Sequence, residues 1–214
     1  MRDIEIIPAV NAETFEEVKN KIMLVEPYAG WVHLDVTDGT FTKNSIWHNA
    51  SDLVSLDTLL NIEVHLMILD IERRVPEWLL PNIKRVIFNL EASHNPDFVI
   101  EKLREANKEV GISIAPATPW MRLKPYLDKV DLIQILSVNP GLAGQEFIKN
   151  NLDKIRHLRG VCPKCIIEVD GGMKVGVIKK VVEAGADIIV AASAIFREND
   201  VKKAIEELRK DAKL

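Results

Sequence analysis

The sequence predicts an α/β fold, a single-domain (β/α)8 (TIM) barrel over residues 1–214. Three observations predict it. Strand-like apolar runs alternate with amphipathic helix patterns from end to end, which implies a parallel sheet covered by helices. Eight such pairs follow one another at a spacing of about 26 residues, which suits a compact eight-unit barrel. No GxGxxG motif follows the first strand pattern, which weakens the competing doubly wound open sheet. No linker, low-complexity segment or charge run marks a second domain.

In chain order, Ile4 to Val10 reads as the first strand and Glu13 to Val25 as an amphipathic helix. Val32 to Val36 is the second strand. The irregular segment Phe41 to Ser55 follows, with a weak helix near Ser51 to Leu60. Ile62 to Ile68 is the third strand, followed by a helix over Asp70 to Leu80. Arg85 to Leu90 is the fourth, with its helix over Asp97 to Asn107. Val110 to Ala115 is the fifth. Thr118 is expected to cap a short helix with Pro119 at its first position. Val130 to Ser137 is the sixth strand, Asn139 to Gln145 a loop, and Ile148 to Leu158 a helix. Ile166 to Asp170 is the seventh, with helix Val175 to Ala184. Ile188 to Ala192 is the eighth, and Val201 to Asp211 the closing helix.

Composition excludes some function classes. Hydrophobic residues form 47% of the 214, sufficient for one sizeable core. The formal net charge is −4, with no basic excess to hold nucleic acid or an anionic membrane. No apolar run approaches the ~20 residues that span a bilayer. Met1-Arg2-Asp3-Ile4-Glu5 puts charge where a signal peptide needs an apolar stretch, so a cytoplasmic protein is expected. The pair Cys162-Pro163-Lys164-Cys165 lacks a second ligand pair for zinc, and two free thiols beside a turn are expected.

The polar residues that carry chemistry lie at strand ends. In Trp31-Val32-His33-Leu34-Asp35-Val36-Thr37-Asp38-Gly39, alternate side chains share a face, so Trp31, His33 and Asp35 point one way and Val32, Leu34 and Val36 the other. Two ionisable groups on a buried face are costly unless something pairs or binds them. Active sites of such barrels open at the C-terminal strand ends. There His33 and Asp35 meet His65 of the third strand and Asp170 of the seventh. Each has an ordinary structural explanation alone, a histidine filling a barrel layer or an aspartate capping a turn. Together, two imidazoles and two carboxylates suit a divalent metal ion such as Zn, Fe, Mn or Co, with no preference among them.

A phosphate cradle is the second theme. Gly171-Gly172 follows the seventh strand and Ala191-Ala192-Ser193-Ala194 ends the eighth, where barrels of this type hold phosphate. The loop Ser137-Val138-Asn139-Pro140-Gly141-Leu142-Ala143-Gly144-Gln145 is long for its place and suits a segment that folds over a ligand. Trp47-His48 and His157 read as surface residues, His94 as a helix-start residue, and Trp78 and Trp120 as core or interface anchors.

Taken in combination and order, six segments resemble the ribulose-phosphate 3-epimerase family. They are His33-Leu34-Asp35 with Asp38-Gly39, His65-Leu66-Met67, Glu91-Ala92, Ser137-Val138-Asn139-Pro140-Gly141 with Gly144-Gln145, Val169-Asp170-Gly171-Gly172, and Ser193-Ala194-Ile195-Phe196. The resemblance runs from Ile7 to Phe196. It implies that His33, Asp35, His65 and Asp170 ligate the metal and that Asp35 and Asp170 are the acid and base. It implies substrate or phosphate contacts from Met67, Ser137, Asn139, Gly141, Gly144, Gly171, Gly172, Ala192 and Ser193. The implied reaction is C3 epimerisation of a ketose phosphate, D-ribulose 5-phosphate to D-xylulose 5-phosphate, through a metal-stabilised enediolate in the pentose phosphate pathway. The implied partners are a small sugar phosphate and further copies of the chain in a homo-oligomer.

Several positions depart from the family pattern. Ala9 follows Pro8 where the family has Ser, and Asn11 stands where an apolar residue is usual. Thr37 and Leu136 replace methionines, Asn89 replaces a histidine, and Ala143 and Ala192 replace glycines. If position 192 required positive φ, alanine would cost about a kcal/mol or more. The donor set is kept while the substrate wall is altered. That pattern favours retained epimerase chemistry and leaves room for a six-carbon, allulose 6-phosphate-like substrate, with Thr37 and Asn11 supplying hydrogen bonds. An aldolase-type hexulose-phosphate synthase fits His65 and Met67 poorly. A catalytically silent phosphate-binding barrel is the remaining alternative.

Overall fold

The computed structural model describes residues 4–141 and 144–213. Eight parallel strands close into a barrel in chain order: β1 (Glu5–Val10), β2 (Trp31–Val36), β3 (Asn61–Leu66), β4 (Ile83–Asn89), β5 (Glu109–Ile114), β6 (Leu132–Leu136), β7 (Ile166–Asp170) and β8 (Ile188–Ala191). β8 pairs back onto β1, so the sheet has no edge. Every strand expected from the sequence is present, with ends shifted by no more than two residues.

The helices around it are α1 (Phe15–Val25), α2 (Ile71–Arg74), α3 (Pro96–Glu105), α4 (Asn151–Val161), α5 (Ile178–Ala184), α6 (Ser193–Phe196) and α7 (Val201–Asp211). Side-chain caps start three of them: Thr14 accepts from the Glu17 amide, Asn95 from Phe98 and Asp200 from Lys203.

The helix layer is less regular than expected. After β2 there is only a 3-10 turn, Ala50–Ser55, instead of a helix to Leu60. The stretch Asp70 to Leu80 divides into α2 and a 3-10 turn, Val75–Trp78, because Pro76 has no N–H to continue the α-helix. After β5, Trp120–Tyr126 is a 3-10 segment containing Pro125. Thr118 does not cap it; its hydroxyl donates to the Glu91 carboxylate instead. The four residues of α6 are too few to leave a periodic signal.

Alternation along the strands divides the side chains between two compartments. Outward residues such as Val32, Leu34, Val36, Val64, Leu66, Phe88 and Ile133 pack with Ile22, Val99, Leu103, Ile155 and Ile205 of the helices. Inside the barrel, Ile7, Ala9, Ile87, Leu132, Ile188 and Val190 form a smaller apolar cluster. The other interior positions include His33, Glu63, His65, Arg85, Asn89, Ser113, Gln134 and Glu168, all buried.

Two expectations need correction here. Cys162 and Cys165 are not free: a turn after α4 brings their Cα atoms to 5.4 Å and they form a disulfide. Trp47 is buried, stacked on Phe15 and edge-on to Trp78, while its indole N–H donates to Asp52. Among the described residues no helix is long and apolar enough to cross a membrane.

Candidate active site

Strand register assembles the donor set. On β2, His33 and Asp35 face inward two residues apart, and the parallel pairing sets Asp35 beside His65 of β3. Asp35 Oδ1 lies 3.5 Å from His33 Nε2 and 3.6 Å from His65 Nδ1. Asp170 arrives from the end of β7, and one donor atom from each of the four residues lies within 4.8 Å of all the others.

These atoms are placed as the donors of a coordination shell would be. His33 Nε2, Asp35 Oδ1 and His65 Nδ1 are buried and have no hydrogen-bond partner. Unmet polar atoms at one buried point are costly unless a ligand satisfies them. The opposite ring nitrogens are committed. His33 Nδ1 donates to Glu63 Oε1 at 2.7 Å, and His65 Nε2 donates to Asn89 Oδ1 at 3.1 Å. Each imidazole, when neutral, therefore turns a lone pair toward Asp35, as ligation of a divalent cation requires. Two imidazoles and two carboxylates fit Zn, Fe, Mn or Co and do not distinguish them.

Electrostatics separates the two aspartates. Burial favours the neutral form of Asp35, but its contacts with His33 and His65 outweigh burial and hold its pKa well below the usual carboxylate range. Asp170 is pushed up to about 6, first by burial and then by the charge of Asp35. Burial opposes the charged form of His33, yet Asp35 and Glu63 raise its pKa well above the ordinary value. Below it, the pKa of Glu168 is raised well above the ordinary carboxylate value, by burial first and by the neighbouring charge of Glu63 second.

Above this shell opens a cavity at the C-terminal mouth of the barrel. Asp35 and Asp170 reach its floor, and Met67 and Leu136 give it apolar wall. Asn139, Gly141, Gly144, Gly171, Gly172, Ala192 and Ser193 line it, joined by Asn11 and Met173. Ser137 does not line it. That residue is buried, and its hydroxyl lies 2.8 Å from the Asp170 carbonyl and 2.6 Å from that of Gly171, bracing the end of β7. Gly172, at φ +70°, passes so close to the β6 loop that a Cβ there would lie 2.4 Å from Phe147 N.

The departures from the family pattern have definite places. Thr37 makes no contact available to a ligand: its hydroxyl is buried, 2.7 Å from that of Thr42 and 3.0 Å from the Asn44 carbonyl. Asn44 in turn donates from Nδ2 to the Gly141 carbonyl at 3.1 Å. Asn11 does face the cavity, with Nδ2 3.5 Å from Asp35 Oδ2. Ala192 has φ −104°, so alanine carries no left-handed strain there. Ala143 lies outside the described residues. Asn89, singled out from sequence, meets His65, whereas Glu63 and Arg85 were not singled out, although each shares strand parity with an inward neighbour.

Fold and site together define a (β/α)8-barrel enzyme. Residues 5–196 match the model of the "Ribulose-phosphate 3 epimerase family". The chain is 35% identical over 222 residues to the ribulose-phosphate 3-epimerase of Escherichia coli strain K12, covering 99% of this chain and 97% of that protein. It is 33% identical over 213 residues to the ribulose-phosphate 3-epimerase of Bacillus subtilis, covering 96% and 98%. The solved 3-hexulose-6-phosphate synthase of Salmonella typhimurium has a TM-score of 0.73 at 15% identity, covering 98% of each chain, a likeness of fold alone. The chain belongs to the ribulose-phosphate 3-epimerase family. It is an isomerase, of the epimerases that act on carbohydrates.

Proposed function

We propose that the protein epimerises C3 of a ketose phosphate, converting D-ribulose 5-phosphate to D-xylulose 5-phosphate. The observation that carries this reading is the meeting of Asp35 and Asp170 with two unmet imidazole nitrogens on the floor of one cavity. The C3 proton is α to the C2 carbonyl. One aspartate removes it, and the other returns a proton to the opposite face, which inverts C3. Positioned proton transfer of this kind contributes ~10²–10⁴-fold. His33, Asp35, His65 and Asp170 would hold a divalent cation, which when bound supplies positive charge against the enediolate that develops as C3 is deprotonated. Gly171, Gly172, Ala192 and Ser193 would receive the phosphate where β7 and β8 end, and Met67 would pack on the sugar. Ser137 acts in this scheme by holding β7. The reading makes the protein a cytoplasmic homo-oligomer acting on a small sugar phosphate.

A six-carbon ketose phosphate is the second reading, and Asn11 is the observation that favours it. Its amide brings a hydrogen-bond donor to the cavity beside Asp35. Thr37 no longer supports it. Turnover of purified, metal-replete protein on D-ribulose 5-phosphate and on allulose 6-phosphate separates the two. Exchange of the C3 proton with deuterated solvent is the more sensitive readout. Absence of exchange on both substrates would leave a silent barrel.

A further inference from the structure

Beneath the donor shell, one polar rung crosses four adjacent strands. His33, Glu63, Arg85 and Glu109 are successive register partners on β2, β3, β4 and β5. Glu63 accepts from His33 Nδ1 through Oε1 at 2.7 Å and from Arg85 Nη1 through Oε2 at 2.6 Å. Arg85 also donates from Nε at 3.0 Å and Nη2 at 2.8 Å to Glu109 Oε2, and its guanidinium lies 4.2 Å from the centre of the Trp31 ring. Glu63 is fully buried and Arg85 is 6% exposed.

We infer that Glu63 and Arg85 are positioning residues that set the metal affinity of His33, a role that rests on the cation reading proposed above. A buried Arg–Glu pair is a poor choice for stability alone, because apolar residues of similar volume do as well or better. The same barrel interior fills some of its positions with apolar residues such as Ile7, Ala9 and Ile87. What an apolar pair cannot do is accept the His33 Nδ1 proton. The Glu63 carboxylate fixes the tautomer and rotation of the ring and makes Nε2 the stronger donor toward a cation. Arg85 holds that carboxylate in place through its second oxygen, and its own fork is held by Glu109 and Trp31. Glu168 does not substitute. Its Oε1 lies 3.9 Å from His33 Nδ1 and accepts from Gln134 Nε2 at 2.9 Å.

The test uses the full chain, stripped with chelator and titrated with Co²⁺. Affinity is read by chelator competition, ligand geometry by the visible absorption of the bound ion, and metal-free Tm in parallel. Glu63→Gln keeps the shape and an acceptor oxygen but removes the charge; it is expected to weaken Co²⁺ binding about 10–100-fold. Arg85→Met is expected to fall in the same range, and Arg85→Lys to recover part of the loss. Co²⁺ affinity in Glu63→Gln within about threefold of wild type, against the 10–100-fold expected, overturns the inference whatever happens to Tm. That variant decides the matter even if Arg85→Met does not fold. Wild-type protein that binds no Co²⁺ would refute the cation reading itself, and with it this role. Wild-type binding with unchanged affinity in Glu63→Gln and in any Arg85→Met protein that folds refutes the positioning role alone.

Discussion

Gly172→Ala tests whether the close approach of β7's end to the β6 loop builds the cavity. The added Cβ would lie 2.4 Å from Phe147 N, 2.8 Å from its Cα and 3.0 Å from Glu146 C. These are backbone atoms, so no side chain can swing aside. Relieving such overlap costs about 1–3 kcal/mol, and the left-handed backbone at φ +70° adds about 1–2 kcal/mol for any residue with a Cβ. The sum is roughly 2–5 kcal/mol. At roughly 2–4 °C per kcal/mol for a chain of this size, Tm falls by about 4–20 °C. The structure also relaxes in a defined direction, pushing the β6 loop away from the proposed phosphate cradle, so KM for D-ribulose 5-phosphate rises more than kcat falls. Gly176→Ala is the control. Gly176 has φ +84° but nothing within 4 Å of its would-be Cβ, so that variant carries only the backbone strain and leaves KM alone. Calorimetry and steady-state kinetics read both effects. Equal Tm losses in the two variants, with KM unchanged in Gly172→Ala, would refute the reasoning.

Further outcomes follow from the same geometry. Asp35→Asn and Asp170→Asn each lower kcat by ~10²–10⁴-fold or more, with loss of C3 proton exchange measured by NMR. Co²⁺ affinity rises with pH between about pH 5 and 8, because His33 and Asp170 must each shed a proton to ligate. Asp170, pushed up to about 6, is protonated below that pH, so affinity falls most steeply on the acid side; competition titrations at several pH values check it. Asp200→Ala removes the cap that receives the Lys203 amide at 3.0 Å, costing about 1 kcal/mol and roughly 2–4 °C in Tm, with kinetics unaffected.

The barrel was legible because eight apolar runs alternate with helix patterns along the chain. On β2 the sequence alone separates Trp31, His33 and Asp35 from Val32, Leu34 and Val36, and the structure divides them the same way between interior and helix layer. His33, Asp35, His65 and Asp170 were legible for a second reason: each sits at a strand end, where chemistry-bearing residue types attract notice. Glu63 and Arg85 share that parity but were passed over. Their meaning lies in the register between strands, and no single strand's pattern records which residue lies beside which. The helical layer was harder to read where prolines 76 and 125 limit α-helix formation, and α6 was too short to see. Thr37 misled for a related reason. Its hydroxyl suits a ligand by type, but it is spent on Thr42 and Asn44, contacts set by the path of an irregular loop.

That loop has a mechanical consequence. β2 and β6 stand on opposite sides of the eight-stranded ring, and the segments leaving them meet through the Asn44 amide and the Gly141 carbonyl. A neutral bond of this type contributes only ~1 kcal/mol, and it ties the two segments together across the mouth. A cross-link made between positions 44 and 141 would slow exchange of small solutes with the cavity while leaving every reacting group in place.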